Sequence, residues 1–114
     1  MRRAIAAQTP DGWRRMFDVN LTGAFLGLRA CAPLLTALVC GAAVTIASTA
    51  GLTVHGDAAY TASKWGLRGL TRAAALEFVG RSIRVNAICC TPTAMARSAS
   101  HPRIWPGWPP PSAW

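Results

Sequence analysis

Two short β-branched runs, separated by a long helical pattern, constrain this chain more than any other feature. Residues 43–48 read Ala43-Val44-Thr45-Ile46-Ala47-Ser48, and residues 83–89 read Ile83-Arg84-Val85-Asn86-Ala87-Ile88-Cys89. Both are short, bounded by glycine upstream and rich in Val and Ile, as strands are. The first has no charge and suits a strand buried in a parallel sheet. The stretch between them, about 58–79, is helical in pattern, which rules out a hairpin and requires a crossover connection. Helix, strand, helix, strand in that order predicts an α/β fold with a right-handed crossover between parallel strands.

The helices carry their own start signals. Thr9-Pro10-Asp11 offers a capping hydroxyl, a proline at the first helical position and an acid in the positive first turn. Trp13, Met16 and Phe17 then recur at helical spacing, and a second stretch follows through Leu21, Phe25, Leu28 and Leu35. The pattern changes phase at Asn20 and Gly23, which predicts a kink there. Gly41 is expected to close the helix. Residues 30–47 lack any charge and approach the length that crosses a bilayer. Pro33, Gly41 and the cluster Val44-Thr45-Ile46 favour helix end, turn and strand over a membrane span. Asp57 is placed to cap the next helix, whose Leu67, Leu70, Ala74 and Phe78 fall on one side. Lys64, Arg68 and Arg72 form a basic stripe on the same helix. Beyond residue 96 the character changes: residues 97–114 hold five Pro and three Trp without periodicity, and no regular structure is expected.

Charge and cysteines limit the function classes. The net charge is +8, from 12 basic and 4 acidic residues in 114. Such a balance can mark a nucleic-acid or acidic-membrane partner. The arginines are scattered singles and pairs, however, with no basic run, so neither nucleic acid nor membrane is the expected partner. Cys31, Cys40, Cys89 and Cys90 fit neither a metal-ligand spacing nor a disulfide framework, and no metal is expected. A reducing cytoplasm is the simplest setting. The N-terminus shows no secretory signal pattern.

The chemistry-bearing residues are few. The chain has one Tyr and one Lys, Tyr60 and Lys64, and i, i+4 spacing puts them on one helical face. A free phenol titrates near pH 10 and is a poor proton-transfer group at neutrality, whereas an adjacent ammonium favours the phenolate. The bland alternative is an aromatic ring packed on a lysine stem. Ser48 lies at the C-terminal end of the first strand, where open α/β sheets place their ligands. Asn20 lies at the helix irregularity. Hydroxyl, phenol, ammonium and amide together meet the needs of carbonyl reduction: two groups to polarise the oxygen, one to donate the proton, one to hold a resupplying water.

Four segments carry a resemblance in register. Asp18-Val19-Asn20-Leu21-Thr22-Gly23, Ile46-Ala47-Ser48-Thr49-Ala50-Gly51, Tyr60-Thr61-Ala62-Ser63-Lys64 and Arg84-Val85-Asn86-Ala87 resemble successive motifs of the short-chain dehydrogenase/reductase family. Residues 60–70, with Trp65 after the lysine, are similar to its hydroxysteroid dehydrogenases and 3-oxoacyl-carrier-protein reductases. The resemblance covers roughly residues 10–92. It implies a partial Rossmann-like doubly wound parallel sheet whose first half is missing, with residues 1–96 as the C-terminal half of the domain. It also implies an NAD- or NADP-dependent oxidoreductase acting on a small-molecule alcohol or ketone. Tyr60 would donate the proton, Ser48 orient the carbonyl, Lys64 grip the nicotinamide ribose and lower the phenol pKa, and Asn20 hold the relay water. Cofactor contacts would come from Asn20, Tyr60 and Lys64.

Two departures qualify the resemblance. The chain has no Gly-rich turn between a strand and a helix to hold a pyrophosphate. After Cys89 it reads Cys90-Thr91, where the family has Pro-Gly, so the nicotinamide amide contact is assigned to no residue. The expectation is therefore a truncated and inactive fragment. The alternative is a non-catalytic interaction module that pairs with an intact paralogue, or with itself, through its long helices.

Overall fold

In the computed structural model, residues 4–37, 40–53 and 55–90 are described. The expected irregular tail at 97–114 lies outside them. Helix α1 (Pro10–Phe17) and helix α2 (Gly23–Ala37) are joined by a π-helical turn (Asp18–Thr22). Strand β1 (Gly41–Ser48), helix α3 (Ala58–Phe78) and strand β2 (Ile83–Cys90) follow. The two strands pair in parallel, in register from Gly41 opposite Ile83 to Ser48 opposite Cys90. This is the expected α/β crossover.

Local chemistry explains most of the boundaries. The Thr9 hydroxyl accepts from the Gly12 amide at 3.1 Å, and Pro10 occupies the first turn of α1. The Asp57 carboxylate accepts from the Tyr60 amide at 3.0 Å and caps α3. By length and composition the run Pro10–Ala37 is long and apolar enough to cross a membrane. Here its Leu28, Ala32 and Leu35 lean on the core formed by Ala74, Phe78, Ile83 and Val85.

Three expectations need correction. Gly41 opens β1 rather than closing the helix: it is the first residue of the strand and already pairs with Ile83. The glycine upstream of β2, Gly80, is not where the backbone turns: the left-handed residue is Ser82, at φ 55° and ψ 27°. The strands are also buried on one face only. Thr45, Ala47, Ile83 and Val85 face α3, while Val44, Ile46 and Ile88 stay 53%, 58% and 52% exposed on the other side.

The buried stripe of α3 contains two hydroxyls that hydrophobic patterning passes over. Ala59, Ser63, Leu67, Thr71, Ala74 and Phe78 are its buried residues, and Leu70 is only half-buried. Thr71 donates to the Leu67 carbonyl at 2.7 Å. That leaves Thr45 of β1 as donor to the Thr71 oxygen, also at 2.7 Å. Buried polar groups persist where they are paired in this way.

Two substitutions test this framework. Ser82→Gly removes the side-chain penalty of a left-handed residue and should raise stability by about 1 kcal/mol in chemical denaturation. Gly51→Ala should act in the opposite sense. A Cβ there would stand 2.7 Å from the Lys64 carbonyl oxygen. Because that obstacle is backbone, the expected cost is roughly 1–3 kcal/mol, read as a lower unfolding midpoint.

Candidate active site

The site grows from the N-terminal half of α3. Capped by Asp57, this helix presents Tyr60 and Lys64 one turn apart, with the Lys64 ammonium 5.8 Å from the centre of the phenol ring. Lys64 Nζ also donates to the Ile46 carbonyl of β1 at 3.1 Å. That contact fixes the lysine against the strand two residues before Ser48. Among the described residues one of its three ammonium hydrogens is used, leaving two for a ligand.

Ser48 ends β1 in extended conformation and is buried. Its Oγ accepts from the Ala50 amide at 3.1 Å, which caps the short 3-10 turn Thr49–Gly51. The turn lies directly against α3, and Gly51 permits the approach: no side chain fits between it and the Lys64 carbonyl. Arg68 locks the turn from the helix side by donating to the Gly51 carbonyl at 2.6 Å. The basic stripe read from sequence thus has separate duties, Lys64 toward the site and Arg68 toward the loop.

Asn20 lies within the π-helical turn, where the Gly23 amide bonds to the Asp18 carbonyl five residues back. The phase change expected at Asn20 and Gly23 is this inserted residue. π-Turns inside α-helices recur at functional sites because they re-aim a side chain. Asn20 Nδ2 donates to Met16 Sδ at 3.0 Å and to Ser63 Oγ at 3.1 Å. Through Ser63 it is tied to the residue beside Lys64.

The four residues named from sequence therefore belong to three elements that meet around one end of α3. A cleft of about 540 Å³ runs between α2 and β1, lined by Asn20 and Lys64 but not by Tyr60 or Ser48, with Ala24, Leu28 and Cys31 along its helical wall. Two further residues join the site without having been singled out in the sequence. Ser63 stood one place before the lysine, in the i, i+4 row with Ala59 and Leu67. His55 sets its imidazole edge-on to Tyr60, ring centres 5.5 Å apart. Its backbone is held by Thr61, whose Oγ1 accepts from the His55 amide at 3.1 Å and donates to the His55 carbonyl at 3.2 Å. No sequence periodicity marks His55, since it sits in the loop.

The chain is similar to known dehydrogenases and reductases. A family model described as enoyl-(acyl carrier protein) reductase matches residues 1–104. The chain is 43% identical over 88 residues to the trans-4-hydroxycyclohexanecarboxylate dehydrogenase of Sinomonas cyclohexanicum, covering 76% of this chain and 34% of that protein. It is 45% identical over 80 residues to a 3-alpha-(or 20-beta)-hydroxysteroid dehydrogenase of Mycobacterium tuberculosis, covering 67% of this chain and 30% of that protein. Among solved structures, the acetoin dehydrogenase of Enterobacter cloacae superposes with a TM-score of 0.74 at 34% identity, over 80% of this chain and 38% of that one. A 4-hydroxyisoleucine dehydrogenase complexed with NADH and succinate gives 0.73 at 35%, over 80% and 44%. The chain spans about a third of the length of the curated relatives it matches. Motif order, parallel crossover and these likenesses agree that the chain belongs to the short-chain dehydrogenase/reductase family.

Proposed function

We propose that this chain carries the proton-transfer residues of a nicotinamide-dependent oxidoreductase that interconverts an alcohol and a carbonyl. The observation that carries this reading is the meeting of Tyr60 and Lys64 on one face of α3, with the ammonium anchored to β1 just before Ser48. In reduction, Tyr60 donates its phenolic proton to the substrate oxygen, and Ser48 orients that oxygen. The neighbouring ammonium stabilises the phenolate left behind. In oxidation the same phenolate takes the proton from the alcohol. Asn20 holds a water that exchanges the proton with solvent.

NAD or NADP, when bound, supplies or accepts the hydride. The two free hydrogens on Lys64 Nζ suit a ribose diol, so the donor chemistry fits the nicotinamide end. No Gly-rich turn in the sequence serves the pyrophosphate. Taken alone, the 114-residue chain is on this reading catalytically silent. Positioning two reactants supplies roughly 7–11 kcal/mol of a barrier, and most of the cofactor would be unheld. A small ring alcohol or its ketone is the favoured substrate, by analogy with relatives named for cyclohexanol and hydroxysteroids. The setting is the cytoplasm, in keeping with free thiols at Cys31, Cys40, Cys89 and Cys90.

A second reading draws on exposed apolar residues of the helices, Phe25, Leu26, Leu34, Leu76 and Val79. Large exposed apolar patches mark association sites. The chain would then act as an interaction module, pairing with itself or with a longer paralogue.

Three measurements separate these possibilities. Titrating NADH and NADPH into the chain should give no saturable micromolar fluorescence change. Micromolar binding that vanishes in Lys64→Ala would show instead that these residues suffice. Grafting residues 10–90 onto the dinucleotide-binding part of the Enterobacter acetoin dehydrogenase should give an active chimera. In it Tyr60→Phe should lower kcat by roughly 10²–10⁴ with little change in KM. An active chimera indifferent to Tyr60→Phe would remove the phenol from the mechanism. Sedimentation of the chain alone should show a dimer or larger species if the helices associate, and a monomer would leave the interaction module without support.

A further inference from the structure

The most deeply buried side chain of α3 is polar. Ser63 is 0% exposed, and its hydroxyl joins two residues of the site. Its single proton goes to the Tyr60 carbonyl at 2.8 Å. A carbonyl only accepts, so the Ser63 oxygen is left to accept in turn, from Asn20 Nδ2 at 3.1 Å. On the other side of the same amide stands Met16 Sδ at 3.0 Å, and a thioether also only accepts.

These two neighbours decide which way round the Asn20 amide sits. Met16 Sδ demands its NH2 end outright, and Ser63 demands it while its own proton stays on the Tyr60 carbonyl; a flipped amide would press Oδ1 against the thioether and oblige Ser63 to give up that carbonyl. With both amide hydrogens used, Oδ1 is the polar atom that Asn20 has left to offer, and among the described residues nothing donates to it. Asn20 and Lys64 line the same cleft.

We propose that Ser63 is a positioning residue that orients the Asn20 amide so that its oxygen, and not its nitrogen, is presented to a ligand in the cleft beside Lys64. The proposal deepens the oxidoreductase reading and rests on it for the identity of the ligand. Its content is a polarity rule. Asn20 takes a group that donates hydrogen, a water or a hydroxyl, and rejects a bare acceptor such as a carbonyl. The Lys64 ammonium can only donate. A water placed between them donates to Asn20 and accepts from Lys64, so its orientation is set on both sides.

The test needs neither cofactor nor turnover. Asn20, Asn86 and Gln8 are the side-chain amides of the chain, so nitrogen-15 spectra resolve them readily. In the unmodified chain both Asn20 side-chain protons should exchange slowly with solvent. Ser63→Ala should speed exchange of one of them by roughly three- to tenfold, the factor expected for one net hydrogen bond, and leave the other in place. Met16→Leu should free the opposite proton while the Ser63-bound one stays protected, which decides the matter even if Ser63→Ala does not fold. Both protons released together in Met16→Leu, or an Asn20 pair indifferent to Ser63→Ala, would overturn the proposal. Failure of the Tyr60→Phe chimera experiment would leave this result standing, because amide exchange reads the Ser63–Asn20 bond directly.

Discussion

Thr45 and Thr71 meet hydroxyl to hydroxyl across the boundary between β1 and α3, and Ser63 and Asn20 meet two turns earlier on the same helix. Together they fix the rotation of α3 about its axis, on which the placement of Tyr60 and Lys64 depends. A net hydrogen bond contributes only about 1 kcal/mol, but a buried polar group left unpaired costs roughly 1–3 kcal/mol. Turning the helix by one residue, about 100°, would strand both hydroxyls and drive charged side chains toward the core. Apolar contacts hold α3 to the sheet, whereas these paired hydroxyls select one of its faces. Tyr60 and Lys64 then flank the buried row and point where β1 ends.

Ion pairs contribute little to this arrangement. Among the described residues one salt bridge forms, Arg14 with Asp11 at 2.6 Å, and both partners are largely exposed. Such pairs are worth about 0–1 kcal/mol. The excess of positive charge is used differently: Arg68 and Lys64 both direct their charges to backbone carbonyls, of Gly51 and Ile46. Each cation pins a turn or strand to α3 where no carboxylate is at hand. The basic composition, which invites thoughts of an anionic partner, is in part a means of internal bracing.

The sequence made the elements legible wherever local chemistry is strong. Thr9 and Asp57 announce helix starts, the β-branched runs announce strands, and the phase change at Asn20 announces the π-turn. Boundaries governed by tertiary contact were harder to read. Gly80 looks like the break before β2, but the chain turns left-handed at Ser82, because the 3-10 turn Val79–Arg81 first prolongs the helix past the glycine. An uncharged β1 suggested burial on both sides, yet only one face is covered among the described residues, since burial needs a neighbour that composition cannot specify. Of the site, the residues with distinctive chemistry stood out by type and spacing. Ser63 and His55 did not. A serine inside an apolar row reads as tolerance, and a loop histidine has no periodicity to betray its place beside Tyr60.

The π-turn at Asp18–Thr22 can be viewed as an insertion the helix has absorbed without breaking. One residue more than a regular α-helix requires lies between α1 and α2. Losing any one residue of that turn would let the helix run straight, at a gain in backbone regularity. The segment before the deletion would then swing by about 100° relative to α2. Trp13 and Phe17, stacked at 4.8 Å, would move with it, and a deletion at Asp18 or Val19 would also change the four-residue spacing on which the Met16–Asn20 contact rests. Evolution at this position is therefore constrained in length as well as in identity: a single-codon deletion that straightened the helix would dismantle the site.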